Sequence, residues 1–413
     1  MEIHTNSSPI GGKMKRQIYM EYRKMWNKIT GVAVLAMCAV VILHLFIYLN
    51  LQYRAIDSEG QIVEGLASYR ALREASEEIK GTMDGTYIRE LVDKYNNSFD
   101  KSYLKEHRGF LGTGGMTKFM VPNYFINYAY YGAYMSNGND KIGLEYDFLD
   151  SEDEFYKTYK ETVKEHLAEV NPYTEEQMNI LGKKVDKLNI PYQTGYYQGL
   201  ANLRAWFVLD YGLIFVVLAF ALSGIFAKDY TGGITELTLS SKYGRKNNFN
   251  VRWIAGNMFI ISIYFIFIGV QLIVNGIIAT LDGWNLPAQM FWFECLHNIT
   301  VGEGILILFG GGLLGAIVIG NIVMLTSIKM KNRKVAVILS AIVVFWILKS
   351  KNVYGFSKMF NPANFISDSL LTGYCFVGNM ALPYFVIVII FTVFYVALLW
   401  IGIKMSYRKY YID

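Results

Sequence analysis

The chain has 413 residues, 53% hydrophobic, 15% aromatic and only 18% charged, with a formal net charge of +5. Such a balance, with positive mean hydropathy, excludes an ordinary soluble multi-domain protein and points to helices in lipid, where each segment must satisfy its own backbone. Three cysteines, Cys38, Cys295 and Cys375, exclude a disulfide framework and a zinc site, and no nucleic-acid partner is expected.

In chain order, Met1 to Gly12 is a polar lead, and no small-residue cleavage site of a signal peptide is visible. From Lys13 to Thr30 an amphipathic helix is predicted. Met14, Ile18, Tyr22, Met25, Trp26 and Ile29 share one stripe, and Lys and Arg fill the rest. It reads equally as a helix lying in the membrane interface against lipid headgroups or as a positive anchor for the first span.

Six spans are predicted, at about Gly31–Asn50, Trp206–Ala227, Ile254–Leu281, Ile305–Ile328, Val335–Leu348 and Pro383–Ile403. The fifth is short of the roughly 20 residues that cross a bilayer. It reads as a span in preference to a re-entrant piece, because losing it would put the basic C-terminus outside. Eighteen Lys and Arg flank one side of these spans, at 13, 15, 16, 23, 24, 28, 228, 242, 245, 246, 252, 329, 331, 333, 334, 404, 408 and 409. The opposite short loops hold three, Lys349, Lys351 and Lys358. Both termini are therefore expected in the cytosol of a multi-pass plasma-membrane protein.

Residues 51–205 then form an extracellular domain, mostly helical, with 18 Lys and Arg against 24 Asp and Glu. A Thr174/Gln177 capping box precedes Met178, Leu181, Val185 and Leu188. Ser151 with Glu154 starts another helix, with Phe155, Tyr159, Val163 and Leu167 on one face. The stretch 109–149 yields no assignment. Its cluster of Tyr124, Phe125, Tyr128, Tyr130, Tyr131 and Tyr134 reads as a tyrosine-filled core slightly ahead of a binding surface. Cys295 and Cys375 fall in outer loops, and a bridge between them is open.

Ionisable groups near the spans are few: His44, Asp210 and Glu303. Asp210 and Glu303 read as shallow enough to reach headgroups, and His44 as a neutral ring bonded to a neighbouring helix. So little buried charge argues against an ion-coupled carrier. Asn257, Gln271, Asn275 and Asn321 read as bonds between helices. Gly311 and Gly315 make a small face for close helix packing, within the chain or against a second copy.

After the second span comes a connector, 228–253, with a Gly-Gly pair, a short helical run and Gly244 as its stop. Gly233, Glu236, Leu239, Ser240 and Arg245 follow the order of a pattern that resembles the permease subunits of type-2 ABC exporters. The amphipathic lead, the six spans and the Pro-containing segments Phe360–Asn364, within the external segment 350–382, and Leu382–Pro383, at its boundary with the sixth span, resemble that family too.

The resemblance implies that Gly233, Glu236, Leu237, Leu239, Ser240, Ser241, Lys242, Tyr243, Gly244 and Arg245 form a coupling helix. That helix would dock on a separate ATP-binding subunit. The family also implies a dimer, with a second permease copy or paralogue. No cofactor is expected in this chain, ATP and Mg belonging to the partner: Gly109–Lys118 lacks the Gly-Lys-Ser/Thr ending of a P-loop. The chain is thus expected to be a transport subunit and not an enzyme, exporting an amphipathic peptide, bacteriocin-like or similar. The alternatives are a receptor with an extracellular ligand-binding domain, or a permease for lipid, drug or ion efflux.

Overall fold

The computed structural model describes residues 9–51, 53–111, 115–131, 152–170, 172–231, 242–330, 332–350 and 360–409. Helix α1 (Pro9–Met25) leads into α2 (Lys28–Leu51). Asn27 makes the break between them: its Oδ1 accepts from the amides of Ile29 and Thr30, satisfying the open start of α2. Val32, Leu35, Leu43 and Phe46 on α2 are exposed, a face that water would penalise and lipid would not.

The segment after α2 is a compact α/β insertion. It runs β1 (Arg54–Ile56), β2 (Ile62–Glu64), α3 (Ala67–Glu77), β3 (Gly81–Thr82), α4 (Gly85–Asn96), α5 (Phe99–Glu106), β4 (Gly115–Met116), α6 (Met120–Tyr131), α7 (Glu152–Val170), α8 (Glu175–Asp186) and β5 (Gln193–Thr194). β1 pairs antiparallel with β2 and parallel with β4, and β3 pairs antiparallel with β5. Its core is where the periodicity puts it. Phe155, Tyr159, Val163, Leu181 and Val185 are fully buried, and the Thr174/Gln177 capping box is closed in both directions. Helix α6 supplies the missing assignment for part of 109–149. Phe125 and Tyr128 are core residues there, packed on Phe155, Tyr159 and Phe293. Tyr134 and Ser151 lie outside the described residues.

The bundle follows: α9 (Gln198–Asp210), α10 (Gly212–Leu222), α11 (Gly224–Thr231), α12 (Lys242–Ile278), α13 (Val301–Lys329), α14 (Arg333–Lys349), the β6–β7 hairpin (Tyr374–Val377 with Met380–Pro383) and α15 (Tyr384–Lys409). Among the described residues four helices, α2, α12, α13 and α15, are long and apolar enough to cross a membrane. A fifth crossing is added if the bent pair α9–α10 counts as one path. Helix α14, at 17 residues, spans roughly 25 Å at the helical rise and falls short of that test.

The predicted second span is not one straight helix. It breaks at Tyr211 with a bend of 40°. α13 is the hub, packed against α10, α11, α12, α14 and α15. The insertion sits on the connections at one end of this bundle. Tyr159 donates to the carbonyl of Phe293, Tyr196 to that of Ala279 and Tyr173 to that of Tyr374. At the other end Phe226, Phe249 and Tyr407 cluster, and Ser327 Oγ bonds the carbonyl of Ser223.

Candidate functional site

Of the ten coupling residues, Gly233, Glu236, Leu237, Leu239, Ser240 and Ser241 lie outside the described residues. Lys242, Tyr243, Gly244 and Arg245 form the first turn of α12. Gly244 therefore does not stop a helix; it stands at the start of a 37-residue one. The first-turn amides of a helix have no intrahelical partner, so Gly costs little there.

These four residues open the longest of the described helices, and α1 is braced on that same helix. Met25 is buried. The Tyr22 hydroxyl lies 2.9 Å from Ser262 Oγ, and the Trp26 ring meets Phe259 edge-on at 5.2 Å. Arg252, 7% exposed on α12, reaches Glu21 at 3.8 Å and donates to the carbonyl of Ile225 at the end of the second path. The amphipathic stripe is therefore divided. Ile18, Tyr22 and Trp26 pack against the core, Met14 is half-buried, and Ile29, Tyr19 and Met20 are exposed.

Higher in the bundle a polar layer joins three helices. Asp210, the last residue of α9, is 4% exposed, which corrects its reading as a shallow residue facing headgroups. The side chain turns inward to partners on other helices. His44 Nδ1 on α2 lies 2.8 Å from Asp210 Oδ1, and Gln271 Nε2 on α12 donates to Asp210 Oδ2 at 3.2 Å. Asn275, fully buried one turn along α12, donates to the carbonyl of Gln271. Nearer the other end, Asn321 bridges Trp253 and Asn257, linking α12 to α13. The four amides are thus bonds between and along helices. Glu303 closes a capping box with Thr300 at the start of α13.

Gly311 and Gly315 close a gap inside the chain. A Cβ at Gly311 would fall 2.1 Å from the carbonyl of Phe365, and one at Gly315 would fall 2.5 Å from that of Pro362 and 2.7 Å from the Tyr211 hydroxyl. The 3-10 turn Pro362–Asn364 and the residues after it occupy this face, so it is not free for a second copy. Close approach lets the segment before α15 fold back along α13. Asn361 pins it, donating to the carbonyl of Ile347 at 2.9 Å.

At the end bearing the insertion, Arg204 on α9 grips both oxygens of Asp368, and Trp292 Nε1 donates to the same carboxylate at 2.7 Å. Cys295 and Cys375 are free thiols, so no bridge joins these loops. Burial raises the Cys295 thiol to about 11, which leaves it protonated and inert at neutral pH. Among the described residues no three His, Cys, Asp or Glu side chains come together to hold a metal. No family model matches the chain, and neither a curated protein nor a solved structure matches it.

Proposed function

We propose that the chain is the transmembrane subunit of an ATP-driven exporter of the type-2 ABC kind, crossing the plasma membrane six times with both termini in the cytosol. In this reading α14 is the fifth crossing, residues 51–205 are extracellular, and α1 lies at the membrane interface against lipid. A separate ATP-binding subunit docks on residues 233–245, and two permease copies or paralogues form the pore. The cargo is amphipathic, a bacteriocin-like or other peptide, captured or gated by the external domain.

The observation that carries this reading is mechanical. The last four residues of the stretch that resembles a coupling helix, Lys242, Tyr243, Gly244 and Arg245, are the first turn of α12, and α12 holds α1 through Glu21, Tyr22 and Trp26 while bonding α9 through Gln271. A push on the connector would therefore be delivered to the first, second and third paths together. The back-folded Pro362–Asn364 segment on Gly311 and Gly315 supports the reading as well, since it matches the Pro-containing segment of the resemblance.

The test uses the full chain, extracted from its own membranes in mild detergent. ATP hydrolysis, read as phosphate release, should co-purify with it, and Glu236→Ala with Arg245→Ala should lose that activity while the chain stays monodisperse. Gly244→Cys, in a chain whose native Cys38, Cys295 and Cys375 are replaced by serine, should react with a membrane-impermeant maleimide only after the cells are opened. Labelling in intact cells, or retention of the hydrolytic partner by the double variant, would reject the proposal.

A further inference from the structure

The second path breaks where a carboxylate is taken out of lipid. Asp210 ends α9, Tyr211 makes the break, and Gly212 starts α10. A carboxyl group at this depth is costly unless paired, and such groups mark functional sites by default. The pairing here is with an ionisable group, so its strength depends on a proton.

We propose that His44 and Asp210 form a proton-binding site at the hinge of the second membrane path. This stands apart from the exporter reading, because it rests on side chains within the bundle and on no partner.

The chemistry follows from the ring and its surroundings. His44 Nδ1 faces Asp210 Oδ1 at 2.8 Å, so Nε2 is the nitrogen that gains or loses the proton. His44 is 41% exposed and lines an open groove of about 390 Å³ with Val40, Leu43, Ile47, Tyr48 and Leu51. Without the proton the pair carries a net charge of −1; with it the charge is zero, the proton being shared between imidazole and carboxyl as one coupled system. In lipid the difference is large, so proton binding selects between two arrangements of the hinge.

Gln271 makes the second arrangement accessible. Its amide donates to the carboxylate at 3.2 Å, while its Oε1 is fully buried with no partner. Turning the amide by 180° would present Oε1 to a protonated Asp210 and keep the bond, with donor and acceptor exchanged. Among the described residues packed against it, no other charge faces the pair. From α2, Tyr48 is the neighbouring titratable group; α12 presents the amides Gln271 and Asn275 and Tyr264, which is bonded to the carbonyl of Phe309; α10 follows Tyr211, which bonds the carbonyl of Gly312. Arg204, on α9, is held by Asp368.

Trp206 is a built-in reporter, its ring edge-on to His44 at 4.5 Å between centroids. A charged imidazolium at that distance perturbs and quenches indole emission. The full chain in nanodiscs of neutral lipid is titrated from about pH 4 to about pH 9, a range that spans histidine protonation. The emission of Trp206→Phe is then subtracted from that of the wild type. The expected result is a reversible loss of the Trp206 component as pH falls, absent in His44→Gln and shifted in midpoint in Asp210→Asn. A flat wild-type difference would overturn the proposal with no His44 variant needed, and so would a titration that persists in His44→Gln.

Discussion

Arg204 meets Asp368 across 164 positions of sequence, its Nε and Nη2 each donating to one carboxylate oxygen. Trp292 adds a third donor. A fork-to-fork geometry fixes orientation as well as distance, so this contact ties α9, the 282–300 connection and the segment before α15 into one rigid rim. Asp368→Asn should lower the thermal midpoint in detergent. The cost is about 1–2 kcal/mol, discounted because both side chains are a third or so exposed. A double-mutant cycle with Arg204→Gln should show coupling; strict additivity would mean that the pair is ornamental.

Gly315→Val should be more damaging than Gly310→Val, although the two glycines are five residues apart on one helix. The Cβ at 315 collides with the carbonyl of Pro362, a backbone atom that cannot swing away, whereas nothing lies within 4 Å of a Cβ at 310. Overpacking of this kind costs about 1–3 kcal/mol. Limited proteolysis checks it: release of the back-folded segment should expose 360–372 to cleavage in Gly315→Val and not in Gly310→Val.

These residues show what a sequence discloses. Period and capping are local, so α7, α8 and the Thr174 box were legible, as were most span positions. The Thr300/Glu303 box has the same spacing and is equally local. Asp210 marks the harder limit. Hydropathy gives the depth of a residue along its helix but not its azimuth, and the partner that turns it inward, His44, lies 166 positions away. The Gly311/Gly315 spacing likewise announces a close neighbour without naming the Pro362 segment.

Stability should fall as the pH drops below the ordinary histidine value, in part through His297. Burial, and then the Lys184 charge, hold this imidazole below its usual 6.5, so the neutral ring is favoured in the fold, where it faces the Tyr374 hydroxyl at 3.0 Å. Between the folded value and 6.5 the unfolded chain binds more protons, and stability therefore rises with pH through that window. Thermal midpoints of wild type and His297→Gln should converge in acid and separate above pH 6.5, in favour of the wild type. Parallel curves would show that the ring does not titrate on unfolding.

Asp100→Asn should stabilise the insertion at neutral pH. Its carboxyl is 3% exposed with Oδ2 unpartnered. Burial pushes it from 3.8 up to about 6, against a partial pull from Lys118. The folded value lies above the unfolded one, so between 3.8 and about 6 the native state holds the extra proton, and stability declines as pH rises through that interval. Above it the ionised carboxylate carries the full penalty, on the order of 3 kcal/mol from the size of that shift. Asparagine keeps the shape without the charge, and Lys118 keeps its ion pair with Glu78. The gain should be present at pH 7 and vanish near pH 4, read from chemical denaturation at the two values. A loss at pH 7 would mean that attraction to Lys118 and the first turn of α5 outweighs the cost of burial.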